Sequence, residues 1–140
     1  MDIQQLNEKI QSEGSNPIVY LDDVIHAIHN YDFSDETVLN NFVRAFTDHA
    51  LPSLTKSKRK FEDFTADICE ACLKKRRTEF FQLAGEIFDQ SNLVRWQKRP
   101  EQVSRMVRSL SEVVLQDTES PRVSPESASE CVTKMMKAFT

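Results

Sequence analysis

The sequence predicts an all-α domain, a compact helical bundle of six to eight helices, on three observations. Apolar residues recur at three- and four-residue spacing along most of the chain. No segment alternates with the period of a strand between turn residues. Only two glycines, Gly14 and Gly85, are available for tight turns. A length of 140 residues suffices for one sizeable core and not for two, so 1–140 is expected to be a single domain.

Each element follows from local chemistry. Residues 3–13 place Ile3, Leu6 and Ile10 on one helical stripe, which Gly14 and Pro17 end. Residues 17–31 carry Ile18, Leu21, Ile25 and Ile28 on one face, with Pro17 suited to the first turn of a helix. Residues 34–54 open with Ser34 and Glu36 or Thr37 as capping material and run through Val38, Phe42, Ala45, Phe46 and His49. Pro52 is expected to break them, because its ring removes a helical hydrogen bond. Residues 53–60 read as a polar, basic connection.

From Phe61 to Gln90 the stripe Phe61, Phe64, Ile68, Cys72, Phe80, Leu83, Ala84 and Ile87 is interrupted at 74–79, KKRRTE. The segment is either one long helix with a solvated middle or two helices joined there, and two suit a compact domain better. After a polar break, Leu93, Val94 and Trp96 start a short element that Pro100 ends or restarts. An amphipathic helix follows through Val103, Met106 or Val107, Leu110 and Val114. Residues 117–127, rich in serine and proline, predict a flexible loop before a short closing helix with Cys131, Met135 and Phe139 on one face.

The composition excludes several function classes. The glycine shortage removes the raw material of phosphate loops and dinucleotide folds. The longest uninterrupted apolar run, Ile18 to Leu21, is far below a membrane span, and no basic-then-apolar leader opens the chain, which predicts an intracellular, cytoplasmic protein. Three cysteines at unequal spacing are not a secreted disulfide framework. Cys69-x-x-Cys72 and His26-x-x-His29 have spacings that suit a tetrahedral zinc site, but a pair inside a helix lacks the knuckle turn of zinc modules and buried thiols are the ordinary reading. No nucleophile elbow or oxyanion motif is present, so the chain is not expected to be an enzyme, and no cofactor or small-molecule substrate is implied.

The net charge of −4 hides an asymmetry: residues 1–55 hold 2 basic and 9 acidic side chains, 56–110 hold 13 and 8, and 111–140 hold 3 and 5. The clusters Lys56 to Lys60 and Lys74 to Arg77 could form an import signal or a phosphate-binding patch. Acids follow each of them, however, and the pI near 5.4 disfavours nucleic acid. A basic middle segment that docks an acidic partner is the alternative these clusters leave open. Ser120-Pro121 and Ser124-Pro125 fit proline-directed phosphorylation as well as they fit any exposed proline-rich loop.

The stretch EFFQLAGEIFDQSNLVRWQK, 79–98, resembles the first homology region of the Bcl (B-cell lymphoma two) family of apoptosis regulators. There an apolar helix ends in Glu-Leu-Phe, a polar turn follows, and Asn-Trp-Gly-Arg opens the central helix. Glu86, Ile87 and Phe88 match the helix end, Trp96 the tryptophan and Lys98 the arginine. Upstream, Arg44, Ala45, Phe46, Thr47 and Asp48 take the places of an Arg-Ala-Phe-Ser-Asp sequence found in the family's second helix. Departures are Arg95 for the asparagine, Gln97 for the glycine, a longer turn, Pro100, an amphipathic rather than wholly apolar following helix, and no death-ligand motif or terminal anchor. Such losses resemble those of divergent members encoded by large DNA viruses.

The resemblance implies a Bcl-like bundle and an anti-apoptotic role in host–virus interaction: sequestration of a pro-apoptotic death-ligand helix of a host protein in a hydrophobic groove. Phe42, Phe46, Phe64, Phe81, Phe88, Trp96, Val103 and Val107 are then its expected floor and walls. Lys98, or Arg95 if the register has slipped, is expected to pair with the ligand's acidic residue, a contact of about 1.5–3 kcal/mol. Recruitment to mitochondria through partners and homodimer formation are compatible with this reading.

Overall fold

The computed structural model describes residues 2–56, 62–90, 95–116 and 123–139, and every described element is helical. Helix α1 (Ile3–Ser12) starts at Asp2, whose carboxylate accepts from the Gln5 N–H at 2.8 Å while the Gln5 side chain accepts from the Asp2 N–H at 3.1 Å, a reciprocal capping box. Ile3, Leu6 and Ile10 are buried, as the stripe predicts. Pro17–Val19 form a 3-10 turn rather than the start of the second helix, and α2 spans Leu21–Asn30. Leu21, Val24 and Ile28 are buried, but Ile18 on the turn is 53% exposed and does not share their face.

Helix α3 (Glu36–Ala45) is capped by Asp35, not Ser34: its carboxylate accepts from the Thr37 and Val38 N–H groups. The expected break at Pro52 does not occur. A π-helical stretch, Phe46–Ala50, leads into α4 (Leu51–Lys56), so α3, the π turn and α4 make one rod with Pro52 inside it. The Leu51 N–H reaches back to the Phe46 carbonyl, five residues away. The extra residue in the turn changes the carbonyl pattern just ahead of Pro52, where a regular helix would clash with the ring.

Two helices, not one, occupy the next segment: α5 (Glu62–Lys74) and α6 (Thr78–Gln90). Arg76, with φ of 58°, turns the chain between them. Trp96–Lys98 form a 3-10 turn, and α7 (Pro100–Gln116) follows. The closing helix α8 (Pro125–Phe139) starts earlier than expected, because Ser124 caps it: the Ser127 N–H donates to Ser124 Oγ at 3.1 Å. Of the predicted loop 117–127, residues 117–122 lie outside the described residues.

The seven rods so counted among the described residues pack around the α5–α6 hairpin. Helices α2 and α7 lie against α5, α3 and α8 lie against α6, and α1 covers α3 and the π turn. Helix α6 is deeply enclosed, with Phe80, Phe81, Leu83, Ala84, Gly85, Ile87 and Phe88 all buried. Each large apolar side chain buried there contributes about 1.5–3 kcal/mol. Among the described residues no helix is long and apolar enough to cross a membrane.

Candidate functional site

The aromatic residues expected to floor a groove are split between two core clusters. Phe42 stands 5.4 Å from Phe33 and 6.4 Å from Phe80, joining α3 to α6. Trp96 stands edge-on 5.5 Å from Phe139 and 6.4 Å from Phe88, and those two rings are 5.7 Å apart. This triad ties the 3-10 turn to α6 and α8. Phe42, Phe46 and Phe81 are fully buried, Trp96 is 1% and Phe88 3% exposed. Phe42, Phe46, Phe88 and Trp96 are enclosed by neighbouring helices of the same chain, and Phe81 borders only a small cavity of about 50 Å³ between α6 and α8.

The other expected residues remain at the surface. Val103 is half-buried against the core and Val107, one turn further along α7, is 40% exposed. Phe64 is half-buried on the neighbouring α5. Arg95 and Lys98 are exposed on the turn that leads into α7, and Arg108 is exposed along it. Val103 and Val107 share one side of α7, four residues apart, and Arg95 and Lys98 precede the helix; this side of α7 with its preceding turn is the α7 strip. Helix α7, which follows Trp96, keeps a solvated face, and the central position belongs to the α5–α6 hairpin upstream of the tryptophan.

Ion pairs tie α7 to α5. Glu70 on α5, 9% exposed, receives Arg105 of α7 at 2.6 Å and Lys74 at 2.7 Å, and Arg105 also reaches Asp67 at 3.6 Å. A carboxylate this enclosed is tolerated because two cations and their donors satisfy it. The pairing fixes the α5–α7 seam.

The basic run Lys74 to Arg77 is not a free docking patch. Lys74 is held by Glu70, Lys75 donates to the Tyr31 carbonyl and lies 5.3 Å from the centre of the Phe33 ring, and Arg77 donates to the Phe33 carbonyl at 2.6 Å. These cations pin the loop between α2 and α3. Desolvation lowers the Lys75 pKa, with nearby Asp32 acting in the opposite sense. Of the other basic cluster, residues 57–60 lie outside the described residues.

The thiols and imidazoles expected as alternatives do not meet. His26 and His29 are exposed on α2, while Cys69, Cys72 and Cys131 are buried and free. Among the described residues no three His, Cys, Asp or Glu side chains converge as a metal site. Burial first, and then the neighbouring thiols, push Cys69 and Cys72 well above the ordinary thiol value, and burial pushes Cys131 up to about 12. All three are neutral, unreactive core groups at physiological pH.

A second feature has no counterpart in the sequence reading. Between α1 and the α3–π rod lies a cleft of about 390 Å³, lined by Gln4, Asn7, Glu8, Gln11, Asn41, Arg44, Ala45, Asp48 and His49. The signal was present as two polar stripes at helical spacing, 4-7-8-11 and 41-44-48. The close approach of Gly14 to His49 sets the two rods together: a Cβ on Gly14 would stand 2.9 Å from His49 Cβ. Comparison with protein-family models, curated proteins and solved structures finds no match.

Proposed function

We propose that this protein is a non-enzymatic binding module of Bcl type that captures an amphipathic helix, the death-ligand segment of a pro-apoptotic host protein, and so restrains apoptosis. The observation that carries the reading is the strip on α7. Val103 and Val107 stand one turn apart on α7, with exposed Lys98 and Arg95 on the turn that leads into the helix. An amphipathic helix laid along it would place apolar residues at i, i+4 against the valines and an acidic residue beside the cations.

The partner lies on this surface rather than between the core aromatics, because reaching Phe88 or Trp96 would require unpacking the ring triad. The exposure of Lys98 lowers the worth of its ion pair from the value expected of a buried contact to about 0.2–1 kcal/mol. Lys98→Glu replaces that attraction with a repulsion of similar size, so it weakens binding by about two- to thirtyfold. Calorimetric titration of the chain with synthetic death-ligand helices tests this. Binding that Lys98→Glu and Val107→Asp leave unchanged would remove the strip from the account.

The alternative, an adaptor docking an acidic partner through its basic middle, is weakened because Lys74, Lys75 and Arg77 hold internal contacts.

A further inference from the structure

We infer that the cleft between α1 and the α3–π rod is a binding site for a short zwitterionic peptide of two to three residues. Three independent features point to it. The first is the lining: four carboxamides (Gln4, Asn7, Gln11, Asn41), two carboxylates (Glu8, Asp48), the Arg44 guanidinium and the His49 imidazole, with Ala45 as the one apolar side chain. Such a wall offers nothing to a lipid or a flat aromatic ligand. Side-chain amides are the direct complement of main-chain amides, since each presents one acceptor and two donors to a peptide's N–H and C=O.

The second feature is unmet hydrogen bonding. Asn7 Oδ1 is buried with no partner among the described residues, which costs about 1–3 kcal/mol and is relieved when the amide turns to a ligand N–H. Arg44, which is exposed, has no ion pair among the described residues, so its fork is free to take a carboxylate. Glu8 and Asp48 are likewise available to an ammonium group. Arg44 stands against two carboxylates, Glu8 and Asp48, so the cleft presents charges of both signs. That balance favours a ligand carrying both signs over a strongly anionic or cationic one.

The third feature is dimension and local backbone. Each polar stripe spans seven residue steps, about 10 Å at 1.5 Å rise per residue, which is the span of about three extended peptide residues. The volume of about 390 Å³ lies within the range of small-ligand sites. Asp48 and His49 belong to the π turn, a rare helical form that recurs at functional sites, and the turn aims them at the cleft.

The site is separate from the α7 strip, and either can fail without the other. The test is a two-dimensional NMR titration of the full chain with triglycine, and in parallel with N-acetyl-triglycine amide, whose ends carry no charge. Triglycine is expected to shift resonances of residues 4–11 and 41–49, including the Asn7 side-chain amide, and Arg44→Gln is expected to weaken binding about tenfold or more. Asn7→Ala, exposed enough to keep the fold, should weaken it as well. Equal shifts from the blocked peptide, shifts outside the two stripes, or none at about 10 mM, a concentration well above useful affinity, would overturn the proposal.

Discussion

Replacing Trp96 with alanine should cost this domain a large part of its stability, because the ring is a structural member and not a ligand contact. Trp96 is 1% exposed and packs edge-on against Phe88 and Phe139. Removing a buried aromatic of this size costs about 3–5 kcal/mol, through lost transfer energy and the cavity left behind. Unfolding entropy of about 2.1 cal/mol/K per residue over the 140 residues gives about 0.3 kcal/mol/K, so the midpoint should fall by about 10–17 °C. Urea denaturation and thermal melts followed by circular dichroism measure both quantities. A double-mutant cycle between Trp96→Ala and Phe139→Ala should return a coupling of about 0.5–1.5 kcal/mol. As Trp96 is the chain's only tryptophan, its emission should be that of a ring shielded from water, with poor quenching by acrylamide. A loss below about 1 kcal/mol, typical of surface changes, or a solvent-exposed emission spectrum would refute the triad as a core element.

Three further outcomes follow from the packing. Gly14→Ala forces a Cβ to within 2.9 Å of His49 Cβ and 3.0 Å of the Ile10 carbonyl, so it should destabilise by about 1–3 kcal/mol in chemical denaturation; a neutral result would mean that α1 is not seated on the π turn. Arg105→Met removes one of the two cations on enclosed Glu70; because Arg105 is half-exposed the loss should be about 1–2 kcal/mol and shrink in high salt, and an unchanged midpoint would mean the α5–α7 seam does not depend on it. The buried thiols and Tyr20, whose phenol burial pushes up to about 12, have folded-state values above their unfolded ones. Their contribution is complete below the unfolded values, about 9 for the thiols and 10 for the phenol, and is lost as pH rises from there toward the folded ones. Stability should therefore fall from about pH 9 upward, and Ellman's reagent should find the three thiols only after unfolding; prompt reaction of the native protein would contradict their burial.

Much of the fold was legible because helical periodicity reports burial directly: Ile3, Leu6 and Ile10, or Phe80, Leu83, Ala84 and Ile87, sit where their spacing puts them. Pro52 misled because its cost in a helix is a local rule, and the π turn that evades it depends on how the preceding residues seat against α1. Ile18 misled because a 3-10 turn rotates its face away from α2. The site was less legible. Periodicity marks Phe42 and Phe46 as apolar-face residues and the resemblance adds Phe81 and Phe88, but neither distinguishes a wall open to a partner from one closed by the chain's own helices. Similarly, Lys74 to Arg77 read as a solvated face or a docking patch because the acceptors of Lys75 and Arg77, the carbonyls of Tyr31 and Phe33, lie more than forty residues away in sequence.

The central claim is that the α7 strip captures an amphipathic helix. The most direct measurement is calorimetric titration of the chain against a panel of death-ligand helices at two salt concentrations, with Lys98→Glu and Val107→Asp alongside. The account predicts saturable one-to-one binding of at least one peptide that weakens with salt and with either substitution, while the Trp96 emission stays that of a buried ring. Binding to none of the peptides by a folded chain, or binding indifferent to both substitutions, would contradict it.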